Sequence, residues 1–134
     1  MEINAYLTFA GTCEAAFEFY LKHLGGEVIA KHTYLGSPME QQCPAEWRDK
    51  IMHMCVSVAG KTLMGSDGMG ECQTTSFSGF SLSVNTKDTE EADRIFAALA
   101  ENGNITMPIA ATFWARRFGM LTDQFGVPWM VNCE

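Results

Sequence analysis

The sequence is short of positive charge. Nine Lys and Arg stand against 16 Asp and Glu, a net charge of −7, and no basic cluster occurs along the chain. Proteins that grip nucleic acid by its phosphates need grouped Lys and Arg, so no nucleic-acid partner is expected. No run approaches the ~18 consecutive apolar residues of a membrane-spanning helix. The opening Met1-Glu2-Ile3-Asn4-Ala5 lacks the charged stretch and apolar core of a signal peptide. The expectation is a cytoplasmic chain with no membrane partner. The five cysteines (Cys13, Cys43, Cys55, Cys72 and Cys133) contain no C-x-x-C pair. An odd, scattered set suits free thiols in a reducing compartment better than a disulfide framework or a zinc knot. Histidine is scarcer still, at three, so metal binding or acid–base chemistry has few positions to use.

What is present suits one globular domain. The chain has 134 residues, 47% of them hydrophobic and 19% charged, enough to bury a core. Residues 3–9 alternate, with Ile3, Ala5, Leu7 and Phe9 on one face and Asn4, Tyr6 and Thr8 on the other, as in a half-buried strand. Gly11-Thr12 break it, Thr12 being placed to cap a helix with Glu14 in its first turn. Phe17, Tyr20, Leu21 and Leu24 then form one helical stripe, stopped by Gly25-Gly26. The plan recurs. Phe80, Leu82 and Val84 alternate with Ser81, Ser83 and Asn85. Asp88 and Glu91 have capping-box spacing, Ala92, Ile95, Phe96 and Leu99 repeat the stripe, and Asn102-Gly103 end it. Strand material follows each helix: 27–34, then a hairpin of 51–58 and 61–67 turning at Ala59-Gly60; and 105–109, then 113–123 and 127–133 turning at Gln124-Phe125-Gly126. The expected fold is α+β, two tandem βαβββ modules at about 1–67 and 77–134 with 68–76 as linker. The long 36–50 loop, with Pro38, Pro44 and Trp47, is of a length often tied to function.

The hairpin sets a face. If Ala59-Gly60 is a two-residue turn, Val58 opposes Lys61 and His53 falls opposite Ser66. His53, Cys55, Ser57, Thr62, Met64 and Ser66 then share one face, while Met54, Val56, Val58, Leu63 and Gly65 share the apolar one that should meet the helix. His53 is thus either a hydrogen-bonded structural histidine or a pocket residue able to act as base or donor near neutral pH. Tyr6 and Thr8 face away from their helix too, as do Ser81, Ser83 and Asn85 in the second module. Trp114, Arg116 and Phe118 alternate with Phe113, Ala115, Arg117 and Gly119, so Trp114 is either a flat wall for a ligand or a core plug. His23 reads as a solvated helix-end residue, His32 as an ordinary strand residue, and Asp67 and Asp123 as turn residues.

In detail the chain resembles the vicinal-oxygen-chelate (glyoxalase / bleomycin-resistance / extradiol dioxygenase) superfamily, and its PhnB-like branch in particular. The residues that carry this are Phe9-Ala10-Gly11-Thr12-Cys13-Glu14-Ala15-Ala16-Phe17-Glu18-Phe19-Tyr20 with Leu24-Gly25-Gly26-Glu27, Lys50-Ile51-Met52-His53, Leu63-Met64-Gly65-Ser66-Asp67, Met107-Pro108, Phe113-Trp114, and 118–129. The resemblance implies cupped sheets with helices outside, a ligand cavity on the concave side, a homodimer, and in the superfamily's enzymes a divalent metal. Carried onto this chain, the usual metal positions are Asn4, Met64, Gly79 and Met130, which are poor ligands for zinc, nickel, manganese or iron. No metal and no cofactor is therefore expected. The resemblance points to a protein that binds a small molecule without the usual metal, using Tyr6, Thr8, His53, Cys55, Met64, Ser66, Ser81, Ser83, Trp114 and Met130. One alternative is an enzyme built on His53, through a relocated metal or through acid–base chemistry with Tyr6; another is a dimeric scaffold with no small ligand. Some members of the branch carry a demethylubiquinone methyltransferase name, yet no strand here is followed by the glycine-rich turn of a nucleotide-type cofactor fold. Nor does a phosphonate find a basic cluster: Arg116 and Arg117 are adjacent, and strand neighbours point to opposite faces.

Overall fold

A computed structural model of the chain describes residues 1–69 and 76–134. It divides into two units, Met1–Thr75 and Ser76–Glu134. Cys72 and most of the expected linker lie outside the described residues. Each unit is a four-stranded mixed sheet with one helix, giving an α+β fold with a repeated βαβββ order.

In unit 1 the elements are β1 (Ala5–Phe9), α1 (Cys13–Leu24), β2 (Gly26–Thr33), β3 (Ile51–Val58) and β4 (Lys61–Asp67). The sheet order is β1-β4-β3-β2, with β1 parallel to β4 and the other pairs antiparallel. Val58 pairs with Lys61 and Met54 with Gly65, the register that the two-residue turn requires. Ala59 and Gly60 both have positive φ, 51° and 80°, as a type I′ turn demands. Alanine is strained there, so Ala59→Asn is expected to stabilise the protein by about 1 kcal/mol. Thermal unfolding should report a midpoint higher by about 4 °C.

Alternation decides what each face of this sheet meets. Leu7, Phe9, Met54, Val56 and Leu63 are buried, and so are Cys13, Ala16, Phe17 and Tyr20 of α1. Phe9 meets Phe17 edge-on, with ring centroids 5.9 Å apart. Gly65 lets the helix approach: a Cβ there would lie 2.7 Å from Phe17 Cζ. Met54, Val56, Leu63 and Gly65 therefore face α1 as expected, and the opposite face has no helix of this unit on it. The 36–50 loop contains two single 3₁₀ turns, Glu40–Gln42 and Ala45–Trp47.

Unit 2 repeats the design with β5 (Leu82–Thr86), α2 (Thr89–Ala100), β6 (Asn104–Ala110), β7 (Arg117–Thr122) and β8 (Pro128–Cys133), in the order β5-β8-β7-β6. Asp88 caps α2, accepting from the amides of Glu90 and Glu91 at 2.9 and 3.4 Å. Thr86 Oγ1 accepts from the Asp88 amide, the role that a capping box would give to Glu91. Asn102, with φ 58°, ends the helix. Ala92, Ile95, Phe96 and Leu99 are buried together with Leu121, Val127, Trp129, Val131 and Cys133.

Several expectations need correction. Thr12 sits at the N-cap of α1 but makes no side-chain cap bond. That work is done by Asp67, which is far more than a turn residue. It is 1% exposed, and its Oδ1 accepts from the amides of Gly11 and Cys13 while Oδ2 accepts from Ile51, each at 2.9 Å. Its own carbonyl accepts from Tyr34 Oη at 2.6 Å. Asp67 thus joins the start of α1 to the start of β3. Asp123 does combine turn and core roles: its carboxylate accepts from the amides of Phe125 and Val127 and from Trp129 Nε1. The strand expected from 113 begins only at Arg117, because Thr112 Oγ1 accepts from the amides of Trp114 and Ala115 and turns the chain there. The first strand likewise begins at Ala5, and β5 begins at Leu82, leaving Ser81 just outside it.

Candidate functional site

The open face of the unit 1 sheet carries the chemistry. Strand pairing places Tyr6 beside Met64 and Thr8 beside Ser66 on β1 and β4, and Met64 beside Cys55 on β4 and β3. Six expected residues, Tyr6, Thr8, His53, Cys55, Met64 and Ser66, therefore share one surface. Tyr6 is 47% exposed; the other five are half-buried. Tyr6 Oη lies 3.1 Å from His53 Nδ1, a hydrogen bond, and the two rings stack with centroids 5.6 Å apart at 24°. A phenol bonded to one ring nitrogen fixes the orientation of the imidazole, which leaves Nε2 as its remaining proton donor or acceptor.

His32 joins this surface through a device that alternation does not show. From Gly26 to Val28, β2 pairs with β3 without a break, but the register shifts between Val28 and Ala30. Without that bulge His32 would oppose Met52; with it, His32 opposes His53. One extra residue moves a side chain to the other face, so His32 stands exposed beside His53 instead of on the helix side. His23 lies near the end of α1, its ring 4.6 Å from that of Phe19.

Unit 2 has an equivalent open face with a different lining. Ser83 pairs with Met130 across β5 and β8, and Met130 with Met120 across β8 and β7. Phe118, Asn132 and Asn85 form the next row. Trp114 is off the strand but its ring stands 5.3 Å from Phe118 at 65°, and it is 51% exposed. Beside it lies an open depression of about 400 Å³ along Ala111–Arg116 and Glu134. Of the expected residues only Trp114 borders it. The Arg116 guanidinium is held by the carbonyls of Glu134 and Lys87.

The cysteines divide between the faces. Cys13 is fully buried, and burial, followed by the nearby Asp67 charge, pushes its thiol far above the ordinary value. Burial also raises the Cys43 thiol. Both are held as thiols, which are poor nucleophiles. Cys55 lies on the open face.

Similarity now assigns the chain. A family model described as 3-demethylubiquinone-9 3-methyltransferase matches residues 1–132. The chain belongs to this PhnB-like family. YjdN of Escherichia coli strain K12 is 40% identical over 140 residues, covering 98% of this chain and 95% of its own. Protein PA1353 of Pseudomonas aeruginosa is 46% identical with a TM-score of 0.90, over 100% of this chain and 98% of its own. A Bacillus cereus PhnB protein bearing the same methyltransferase description is 26% identical with a TM-score of 0.83, over the whole of both chains. At 9% identity and a TM-score of 0.66, the fosfomycin resistance protein FosX of Listeria monocytogenes shares the fold, covering 99% of this chain and 91% of its own.

The divalent metal that the superfamily resemblance implies, and the methyl donor that the family description implies, can each be tested against the donors present. For the superfamily's divalent metal, Asn4 lies ahead of β1 and directs its amide at Glu2. Gly79 lies ahead of β5, while Met64 and Met130 offer only thioethers, too soft for zinc, nickel, manganese or iron in their usual sites. Among the described residues no group of three or more His, Cys, Asp and Glu could hold a metal ion. The residues do not fit. For a nucleotide-type methyl donor, the strand–turn–helix junction at Gly11 is the place a doubly wound fold would use. Here its free amides, on Gly11 and Cys13, are already taken by the Asp67 carboxylate. That junction does not fit either.

Proposed function

We propose that this PhnB-like protein binds a small molecule on the open face of its first sheet, around Tyr6 and His53, without the divalent metal of the superfamily's enzymes. The observation that carries this reading is the 3.1 Å bond between Tyr6 Oη and His53 Nδ1 on a surface with no helix of its own unit. An oriented imidazole, flanked by the hydroxyls of Thr8 and Ser66 and by Cys55 and Met64, offers a few fixed polar groups among apolar ones, the usual make-up of a ligand site. A homodimer and a cytoplasmic setting belong to the same proposal. The exposed apolar side chains Val28, Ile29 and Ile105 on the edge strands β2 and β6 give a second copy something to cover, and the free thiols suit a reducing compartment.

The test is a thermal-shift screen of small molecules against metal-free protein. Compounds that raise the melting temperature of the wild type should bind Tyr6→Phe about fivefold more weakly, the value of one hydrogen bond, and His53→Ala about tenfold more weakly. Hits that keep full affinity in both variants would place the ligand elsewhere. The same pair supports a second reading, in which His53 moves a proton on the bound molecule. That reading expects at least one hit to be converted to product, with conversion lost in His53→Ala; hits that stay intact in the wild type exclude it.

A further inference from the structure

The bulge in β2 does more than expose His32. It sets His32 directly opposite His53 on the neighbouring strand, so two imidazoles rise side by side from one face. Directly opposed residues of an antiparallel pair have Cβ atoms about 4.5–5.5 Å apart. Two nitrogens in adjacent positions on one transition-metal ion, each roughly 2.0–2.1 Å from it, are about 3 Å apart. Side chains rooted at the first spacing reach the second by rotamer choice, and His32 is exposed and can turn toward its neighbour. The same bulge puts Lys31 opposite Met54, on the helix side, where its ammonium pairs with Glu14 at 2.6 Å. The nearest cation of β2 is thereby turned away from the two rings.

The hydrogen bond of His53 points to an ion independently. A metal-bound histidine ordinarily donates its other ring N–H to an oxygen, which fixes the tautomer and makes the bound nitrogen a better donor. Tyr6 Oη stands 3.1 Å from Nδ1 of His53, where that oxygen is required, and Nε2 is left for the ion. Unit 2 has no counterpart. Its β6 bulge brings Met107 opposite Met120 on the open face, and the place equivalent to the histidine pair holds Ala110 opposite Phe118.

We propose that His32 and His53 together hold one divalent ion of the nickel, copper or zinc type, for which imidazole is a suitable donor. The pair lies on β2 and β3, apart from Asn4, Met64, Gly79 and Met130, the positions tested above for the superfamily's metal. Among the described residues no third His, Cys, Asp or Glu completes the set, so water fills the remaining positions and the ion exchanges readily. The inference does not rest on the small-molecule reading, since His32 is outside the Tyr6–His53 hydrogen bond.

Nickel(II) titrated into metal-free, tag-free protein tests it by calorimetry and by the imidazole ¹H–¹⁵N spectrum. Binding should saturate at one ion per chain, and the paramagnetic ion should broaden His32 and His53 together while His23 stays sharp. A second donor already in place acts at high effective concentration, so His32→Ala and His53→Ala should each bind at least about tenfold more weakly. The double variant should bind no more weakly than either single one, because one imidazole alone gains nothing from the pairing. Tyr6→Phe, which keeps both donors, should lose about tenfold. Wild-type affinity in His32→Ala, broadening of one histidine alone, or affinity in the wild type no higher than in the double variant would each overturn the proposal. Small-molecule hits that still bind His32→Ala as they bind the wild type would leave the Tyr6–His53 reading standing in every case.

Discussion

Replacing Asp67 by alanine is expected to remove about 4 kcal/mol of folding stability, a large share of the roughly 5–15 kcal/mol that a domain possesses. The reason is local and additive. Three amides, those of Gly11, Cys13 and Ile51, end on one buried carboxylate, and alanine would leave all three without that partner, the Cys13 and Ile51 amides in buried surroundings. Asp67→Asn should cost less, about 2 kcal/mol, because its Oδ1 can still accept from Gly11 and Cys13 while its amino group confronts the Ile51 amide. Urea denaturation of the three proteins would show midpoints in the order wild type, asparagine, alanine. An alanine variant within about 1 kcal/mol of wild type would mean that the carboxylate does not join α1 to β3.

Gly65→Ala is the second large effect, expected at about 3 kcal/mol of destabilisation by overpacking. The new Cβ would sit 2.7 Å from both the Leu7 carbonyl oxygen and Phe17 Cζ; the ring tip could yield, the backbone oxygen far less. Its neighbour Ser66 points the other way, so Ser66→Ala should stay within about 0.5 kcal/mol of wild type. The contrast between adjacent residues tests which face of the sheet meets the helix, and hence which face is open for a ligand. Equal effects at 65 and 66 would undo the assignment of Tyr6, His53 and Ser66 to one open surface.

Much of this was legible in the sequence because the signals are short-range. The Ala59-Gly60 turn fixes the β3–β4 register, and alternation then divides His53, Cys55, Met64 and Ser66 from Met54, Val56, Leu63 and Gly65. Asp88 as the cap of α2 and Asn102 as its end follow from local chemistry as well. The missed features depend on residues distant in the chain or on a local irregularity. The bonds from Asp67 to Gly11 and Cys13 span 56 and 54 residues, and no local pattern announces them. His32 and Met107 reach the open faces through bulges, and a bulge reverses the parity that alternation relies on. The alternation of 113–119 mimics a strand through Trp114, whereas β7 begins at Arg117. Thr112, whose hydroxyl takes the Trp114 and Ala115 amides, is the residue that marks a turn there.

The most direct test of the account is a ¹H–¹⁵N imidazole spectrum of metal-free protein recorded with each compound that stabilises it. Three histidines give three sets of signals. The account predicts that His53 moves on binding, its Nδ1 signal reporting the bond to Tyr6, while His23 at the end of α1 stays fixed. A His53 signal unmoved by every stabilising compound, or one that moves only after a divalent metal is added, would contradict it.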